Sequence, residues 1–247
     1  MKGVILCGGL GSRLHPLTKV TNKHLLPVAD KPMVYYPIET LVDAGVRNLL
    51  LVTGGDNAGD FLRLLGNGRA FGLEALSYTY QEGNGGIADA LRLARHFAGG
   101  EKIVVMLGDN IIGGNIRASL EAFEAQPKGA RLLLKEVEDP SRFGVAEVVQ
   151  GKIVRIEEKP SRPRSRLAVT GIYFYDAEVF DIIEGLTPSS RGELEITDVN
   201  NAYLARGTLE FDLLEGWWSD AGTFASLHRA TELVMKLGAN RISQEQG

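Results

Sequence analysis

Through the first half of the chain, short apolar runs alternate with amphipathic stretches, and this rhythm restricts the possible folds more than any other feature of the sequence. Gly3–Leu6, Asn48–Thr53, Ala75–Tyr80 and Ile103–Leu107 read as buried strands. Between them, Met33–Ala44 follows Pro32 as a first helical residue and stops at Gly45, and Ile87–Phe97 places Ile87, Leu91, Ala94 and Phe97 at helical spacing. Asp60–Leu65 and Ile116–Ala125 are further helices. A repeated βα pattern requires right-handed crossovers, which put helices on both faces of a largely parallel sheet and ligands beyond the carboxyl ends of its strands. The expected class is therefore α/β, a three-layer Rossmann-like arrangement.

From about Ala130 the texture changes. Leu132–Val137, Gly144–Val149, Ile153–Glu158 and Val169–Tyr175 read as strands joined by proline, glycine and charged turns, which suggests a mixed-sheet lid. Helical patterns return at Glu193–Leu204 and Phe224–Leu237, with a strand at Phe211–Leu214 between them. With no repeat, low-complexity tract or linker in 247 residues, one domain is expected, with residues 1–128 and 129–247 as its two halves.

Composition excludes several classes. Hydrophobic residues at 44% and charged residues at 23% are those of a globular chain. A net charge of −4 argues against a duplex-binding surface that must neutralise many phosphates, so no nucleic-acid partner is expected. No apolar run approaches the length of a membrane helix. The lone cysteine, Cys7, cannot form an intramolecular disulfide, and a reducing cytoplasm is the expected location.

The chemistry-bearing residues follow the strands. After the first comes Cys7-Gly8-Gly9-Leu10-Gly11-Ser12-Arg13. Closely spaced glycines let backbone N–H groups approach phosphate oxygens, and Arg13 adds a forked cation. Taken alone, the segment also reads as an ordinary glycine-rich turn. It matches neither the dinucleotide fingerprint, which needs glycine where Leu14 stands, nor a Walker A loop. Lys23, in Asn22-Lys23-His24-Leu25-Leu26-Pro27, is a second cation that on its own reads as a surface residue, and His24 reads as a structural histidine with no catalytic role. The fourth strand ends in Gly108-Asp109-Asn110, which sets a carboxylate at the sheet edge. A hard carboxylate there suits Mg²⁺, but one alone is incomplete, and Asp220 in Trp218-Ser219-Asp220-Ala221 is the candidate second ligand. Each Asp also fits a turn or cap. Glu157-Glu158-Lys159-Pro160 reads either as a charged strand edge or as a carboxylate for sugar hydroxyls beside an ammonium for a phosphate.

In order along the chain, Gly8 to Arg13, Lys23 with Leu26-Pro27, Gln81 with Gly85-Gly86, Leu107 to Asn110, Glu157 to Pro160, Thr170-Gly171, Arg191 to Asp198 and Ser219 to Gly222 resemble the motifs of sugar-1-phosphate nucleotidylyltransferases. The resemblance covers nearly the whole chain and is strongest to members that convert dTTP and α-glucose 1-phosphate into dTDP-glucose and pyrophosphate. That reaction supplies dTDP-deoxysugars such as dTDP-rhamnose. The resemblance implies a nucleotide-diphospho-sugar transferase fold, Mg²⁺ held by Asp109 and Asp220, and a homodimer or homotetramer. It implies nucleotide binding by Leu6, Gly8, Gly9, Gly11, Ser12, Arg13, Gln81, Gly86 and Asp109, with Arg13, Lys23 and Asp109 catalytic. It implies sugar-phosphate binding by Gly144, Glu158, Lys159, Val169, Gly171, Tyr173 and Arg191.

Cys7 is then a small buried residue, because a deprotonated phosphate needs no protein nucleophile. His24 stands where many relatives carry Gln, and the loop Gln81-Glu82-Gly83-Asn84-Gly85-Gly86 lacks their proline, which leaves base selectivity open between dTTP and UTP. Longer relatives continue past Gly247 into helices that help build a regulatory nucleotide site, so weak or absent feedback inhibition through that site is expected. Other readings are a uridylyl or guanylyl transferase for another sugar 1-phosphate, and a catalytically silent sugar-nucleotide sensor.

Overall fold

The computed structural model describes residues 1–9 and 11–240; Leu10 of the glycine-rich loop and the residues from Arg241 onward lie outside the described residues. In chain order the elements are β1 (Lys2–Cys7), β2 (Pro27–Val28), β3 (Lys31–Pro32), α1 (Tyr35–Asp43), β4 (Asn48–Gly54), α2 (Ala58–Leu65), β5 (Ala75–Gln81), α3 (Ile87–Arg92), α4 (Arg95–Ala98), β6 (Ile103–Leu107), β7 (Asn110–Ile112) and α5 (Arg117–Ala125). There follow β8 (Ala130–Glu136), β9 (Gly144–Val149), β10 (Lys152–Glu158), β11 (Leu167–Tyr175), α6 (Val179–Glu184), α7 (Ile196–Ala205), β12 (Leu209–Leu213), β13 (Trp218–Asp220) and α8 (Phe224–Leu237).

A nine-stranded sheet runs β10-β9-β11-β6-β1-β4-β5, with β8 and β12 branching from β11. The β6-β1-β4-β5 block is parallel throughout, and in the whole sheet only β10 and β11 run against the rest. The sheet is thus mixed, mostly parallel and flanked by helices, with its apolar residues sorted by strand alternation. Val4, Leu6, Leu50, Val52 and Val105 pack on one face against Ala88, Leu91 and Val199. Ile5, Cys7, Leu49, Leu51 and Met106 pack on the other against Ile38, Leu41 and Phe61. Burial on both faces explains why β1, β4 and β6 have no polar alternation.

Three readings are corrected. The expected lid is no separate layer: β11 pairs with β6, so strands of the second half extend the same sheet. Pro32 does not open α1 but lies in a β2–β3 pairing; the helix begins at Tyr35, and Pro37 occupies its first turn, where a missing N–H breaks no helical bond. The single helix expected over Ile87–Phe97 is two, because Leu93 and Ala94 donate three residues back and tighten the chain between α3 and α4. No helix among the described residues is long and apolar enough to cross a membrane.

The site is set where β11 changes partner. Leu167 and Ala168 pair with β9, Ile172 to Tyr175 pair with β6, and Gly171 lies in the gap with its N–H free for a side chain. Such a switch point opens a crevice at the carboxyl ends of the parallel strands.

Candidate active site

Beyond β1, Gly11 adopts a left-handed conformation (φ +66°), and Thr18 Oγ1 donates to its carbonyl at 2.8 Å. Leu14 is fully buried and pins the loop, which leaves Ser12 and Arg13 exposed. Lys23 starts a short turn locked to β1: Asn22 Nδ2 donates to Cys7 O, while Asn22 Oδ1 accepts from the His24 N–H and lies 2.7 Å from His24 Nδ1. Burial, with Lys23 adding to it, lowers the His24 pKa to about 3, so the ring is neutral and structural. Burial likewise pushes the Cys7 thiol far up, which removes it as a nucleophile.

Lys23 Nζ lies 2.5 Å from Asp109 Oδ2, directly after β6. Burial alone would raise the Asp109 pKa. The Lys23 charge and hydrogen bonds from Lys23 and Asn110 outweigh it and hold the carboxyl well below the usual carboxylate range. Asp220 reaches the same place through register. Three-residue strands β7 and β13 pair antiparallel with Asp220 opposite Asn110, and Ala221 N donates to Asp109 O. A β-carbon built on Gly222 would sit 3.3 Å from Asp109 Oδ2, 3.3 Å from Arg13 Nη2 and 3.8 Å from Asp220 Oδ2, so three charged groups surround one point. Burial and the neighbouring Asp109 push the Asp220 pKa up to about 6, against the opposing pull of Arg142 and Arg13. Among the described residues no cluster of three or more His, Cys, Asp or Glu could hold a metal. Two hard carboxylates that repel one another and leave most coordination positions to water and phosphate oxygens fit Mg²⁺.

A cavity of about 160 Å³ opens from this point. Arg13, Asp109, Asp220, Gly144, Glu158, Lys159, Val169, Gly171, Tyr173 and Arg191 all line it, so residues read from distant segments share one space. Gly144 faces Glu158 across β9 and β10, and Thr197 Oγ1 donates to Glu158 Oε2 at 2.6 Å. Lys159 Nζ lies 3.1 Å from Glu158 Oε1. Arg191 is held by Glu195 through contacts of 2.7 and 2.8 Å, with Glu193 and Glu158 nearby. Gln81, at the end of β5, packs against Gly8 and donates from Nε2 to Gly86 O at 3.1 Å. The Leu6 side chain is buried in the core, which leaves only its backbone for a ligand. Gly9 lies beside Lys23.

The sequence reading missed two organisers. Asn110 Oδ1 accepts from Gly171 N at 2.9 Å and Trp218 Nε1 at 2.7 Å, and its Nδ2 donates to Asp109, so one side chain ties β7, β11 and β13 together. Its place beside Asp109 at a strand end was the available signal. Arg142 Nη2 donates to Asp220 Oδ2 at 2.9 Å, and nothing in its local sequence announces that contact.

A family model for nucleotidyl transferases matches residues 2–236, and the chain belongs to that family. Among its members the chain is similar to glucose-1-phosphate thymidylyltransferases. It is 45% identical to that of Neisseria meningitidis serogroup A over 95% of this chain and 82% of the relative, and 47% identical to that of Mycolicibacterium smegmatis over the same shares. A solved structure from Bacillus anthracis, provisionally assigned as a glucose-1-phosphate thymidylyltransferase and complexed with a sucrose, superposes with a TM-score of 0.92 at 51% identity, over 96% of each chain. A UDP-glucose pyrophosphorylase complexed with UDP-glucose shares the fold, with a TM-score of 0.83 at 24% identity over 95% of this chain and 98% of that one.

Proposed function

We propose that this chain transfers the thymidylyl group of dTTP to α-D-glucose 1-phosphate, forming dTDP-glucose and pyrophosphate. The observation that carries the reading is the convergence of Asp109, Asp220 and Arg13 on one point of a cavity that Glu158, Lys159 and Arg191 also line. Residues 1–128 supply the nucleotide side and residues 129–247 most of the sugar-phosphate side of one domain.

A sugar-phosphate oxygen, already deprotonated at neutral pH, attacks the α-phosphorus of dTTP; the new P–O bond forms as the bond to the β-phosphate oxygen breaks, and pyrophosphate departs. Both reactants are anions, so the protein must screen repulsion and fix an in-line approach, with no proton to abstract. Gly8, Gly9, Gly11 and Ser12 offer backbone N–H groups to the triphosphate, Arg13 and Lys23 balance charge on the α-phosphate and leaving group, and Gln81 and Gly86 face the base. Lys159 and Arg191 take the sugar phosphate, and Glu158, Gly144, Val169, Gly171 and Tyr173 surround the hexose. Asp109 and Asp220 would hold Mg²⁺, which when bound neutralises phosphate charge; Arg142 would then yield Asp220. One methyl separates thymine from uracil, about 1 kcal/mol in an apolar pocket, so UTP is expected to work within about tenfold of dTTP.

The test is pyrophosphate release across dTTP, UTP, CTP, ATP and GTP against several hexose 1-phosphates, with and without Mg²⁺. The expected maximum is dTTP with glucose 1-phosphate and Mg²⁺. No release in any combination, from folded protein, would replace this reading with a silent sugar-nucleotide sensor.

A methyl group on Gly8 would collide with Gln81 Oε1. Gly8→Ala is therefore expected to raise the KM for dTTP about tenfold or more by displacing Gln81, with the KM for glucose 1-phosphate unchanged in steady-state assays.

A further inference from the structure

The Gln81 amide is fixed from one side. Its Nε2 donates to Gly86 O at 3.1 Å and to Asp89 Oδ2 at 2.8 Å. A backbone carbonyl and a carboxylate can only accept, so they dictate which end of the amide faces them. The carbonyl end is thereby turned the other way, over Gly8, where no side chain intervenes and no group among the described residues donates to Oε1. Asp89 is itself fixed: Arg92 Nη2 holds its other oxygen at 2.8 Å, and its carboxylate packs against Gly85, where a β-carbon would clash with it. Gln81 is 6% exposed, so little water is available to satisfy a reversed amide.

We infer that Asp89 is a positioning residue for base selection: by holding the Gln81 NH₂ group, it presents Oε1 as an acceptor and makes the site favour a base with an N–H donor at ring N3. Thymine and uracil carry that donor, whereas cytosine presents an acceptor at N3, which would face Oε1 lone pair to lone pair. The inference rests on the proposed function, in which Gln81 faces the base. Asp89 does not touch the nucleotide; it acts through Gln81.

The experiment compares kcat/KM for dTTP and dCTP, which share a sugar and a triphosphate, in the wild type and in Asp89→Asn. An Asn at 89 keeps the shape but can offer its own NH₂, so the Gln81 amide keeps only Gly86 O as an obligatory acceptor and loses the stronger, charged half of its hold. The dTTP-to-dCTP preference is expected to fall about tenfold or more, through KM, while the KM for glucose 1-phosphate stays within about twofold. Asp89→Ala, which removes the acceptor with a residue suited to helix α3, is expected to show the same loss. A merely structural role would lower both nucleotides alike and leave the ratio unmoved, and an unmoved ratio in either variant, with wild-type turnover of dTTP, would overturn the inference alone. Calorimetric binding of dTDP and dCDP separates the two readings. A wild type that prefers dTDP without turning over dTTP would sink the proposed reaction and leave the role of Asp89 to be judged by loss of that binding preference in the variants.

Discussion

Asp109→Asn is expected to lower the rate of pyrophosphate release by about a thousandfold or more while the protein remains folded. The substitution keeps the size of the side chain and its neighbour Asn110, and removes one charge from a place where charge is the working quantity. Asp109 is 8% exposed and 2.5 Å from the Lys23 ammonium, and the net effect of its surroundings is to keep it ionised. Without that charge, Asp220 is the one of the two carboxylates left where Arg13 converges, and a divalent cation held as proposed would lose one of its two protein ligands. Lys23 also loses the charged partner that holds its ammonium. Removing one member of a buried pair destabilises, so a lower melting temperature is expected as well. The assay is therefore run below that temperature, with far-UV circular dichroism to confirm the fold and Mn²⁺ titration to read metal affinity directly. Turnover within tenfold of the wild type would remove Asp109 from the reacting centre.

The parallel half of the fold was legible because burial on both faces writes itself into sequence: Val4 to Cys7 and Ile103 to Leu107 cannot sit in any half-exposed strand. What escaped was short or polar. Strands β7 and β13 have three residues each, too few to show a period, yet their register brings Asp220 beside Asp109. The two carboxylates could be named from motifs, whereas their meeting is a property of tertiary pairing. The lid expectation failed for a related reason. Turn-rich strands such as β9 and β10 look autonomous in sequence, and only the pairing of β11 with β6, between residues far apart in the chain, attaches them to the main sheet. Arg142 lies at the limit of such reading: an exposed loop arginine is ordinarily solvated, and only its contact with Asp220 distinguishes it.

Lys159→Met is expected to raise the KM for glucose 1-phosphate about 10- to 100-fold and leave the KM for dTTP within about threefold. The backbone at Lys159 shows why this side chain is placed and not incidental. With φ at +41° it occupies a left-handed conformation that a non-glycine residue adopts at a cost of about 1–3 kcal/mol, and its N–H donates to Phe143 O at 3.0 Å. That kink sends the ammonium back over the end of β10 to Glu158, whose other oxygen is already taken by Thr197. Lys159 is half-exposed, so its ion pair with Glu158 contributes little to stability, and replacing it with a chain of similar length should leave the fold intact. A phosphate dianion offers the same ammonium two charges where Glu158 offers one. On the proposed assignment, the loss therefore falls on capture of the sugar phosphate and spares the nucleotide, which that assignment gives to the Gly8 to Arg13 loop. A KM for glucose 1-phosphate unchanged in Lys159→Met would assign that phosphate to Arg191 alone, and Arg191 would then have to leave Glu195 to bind it.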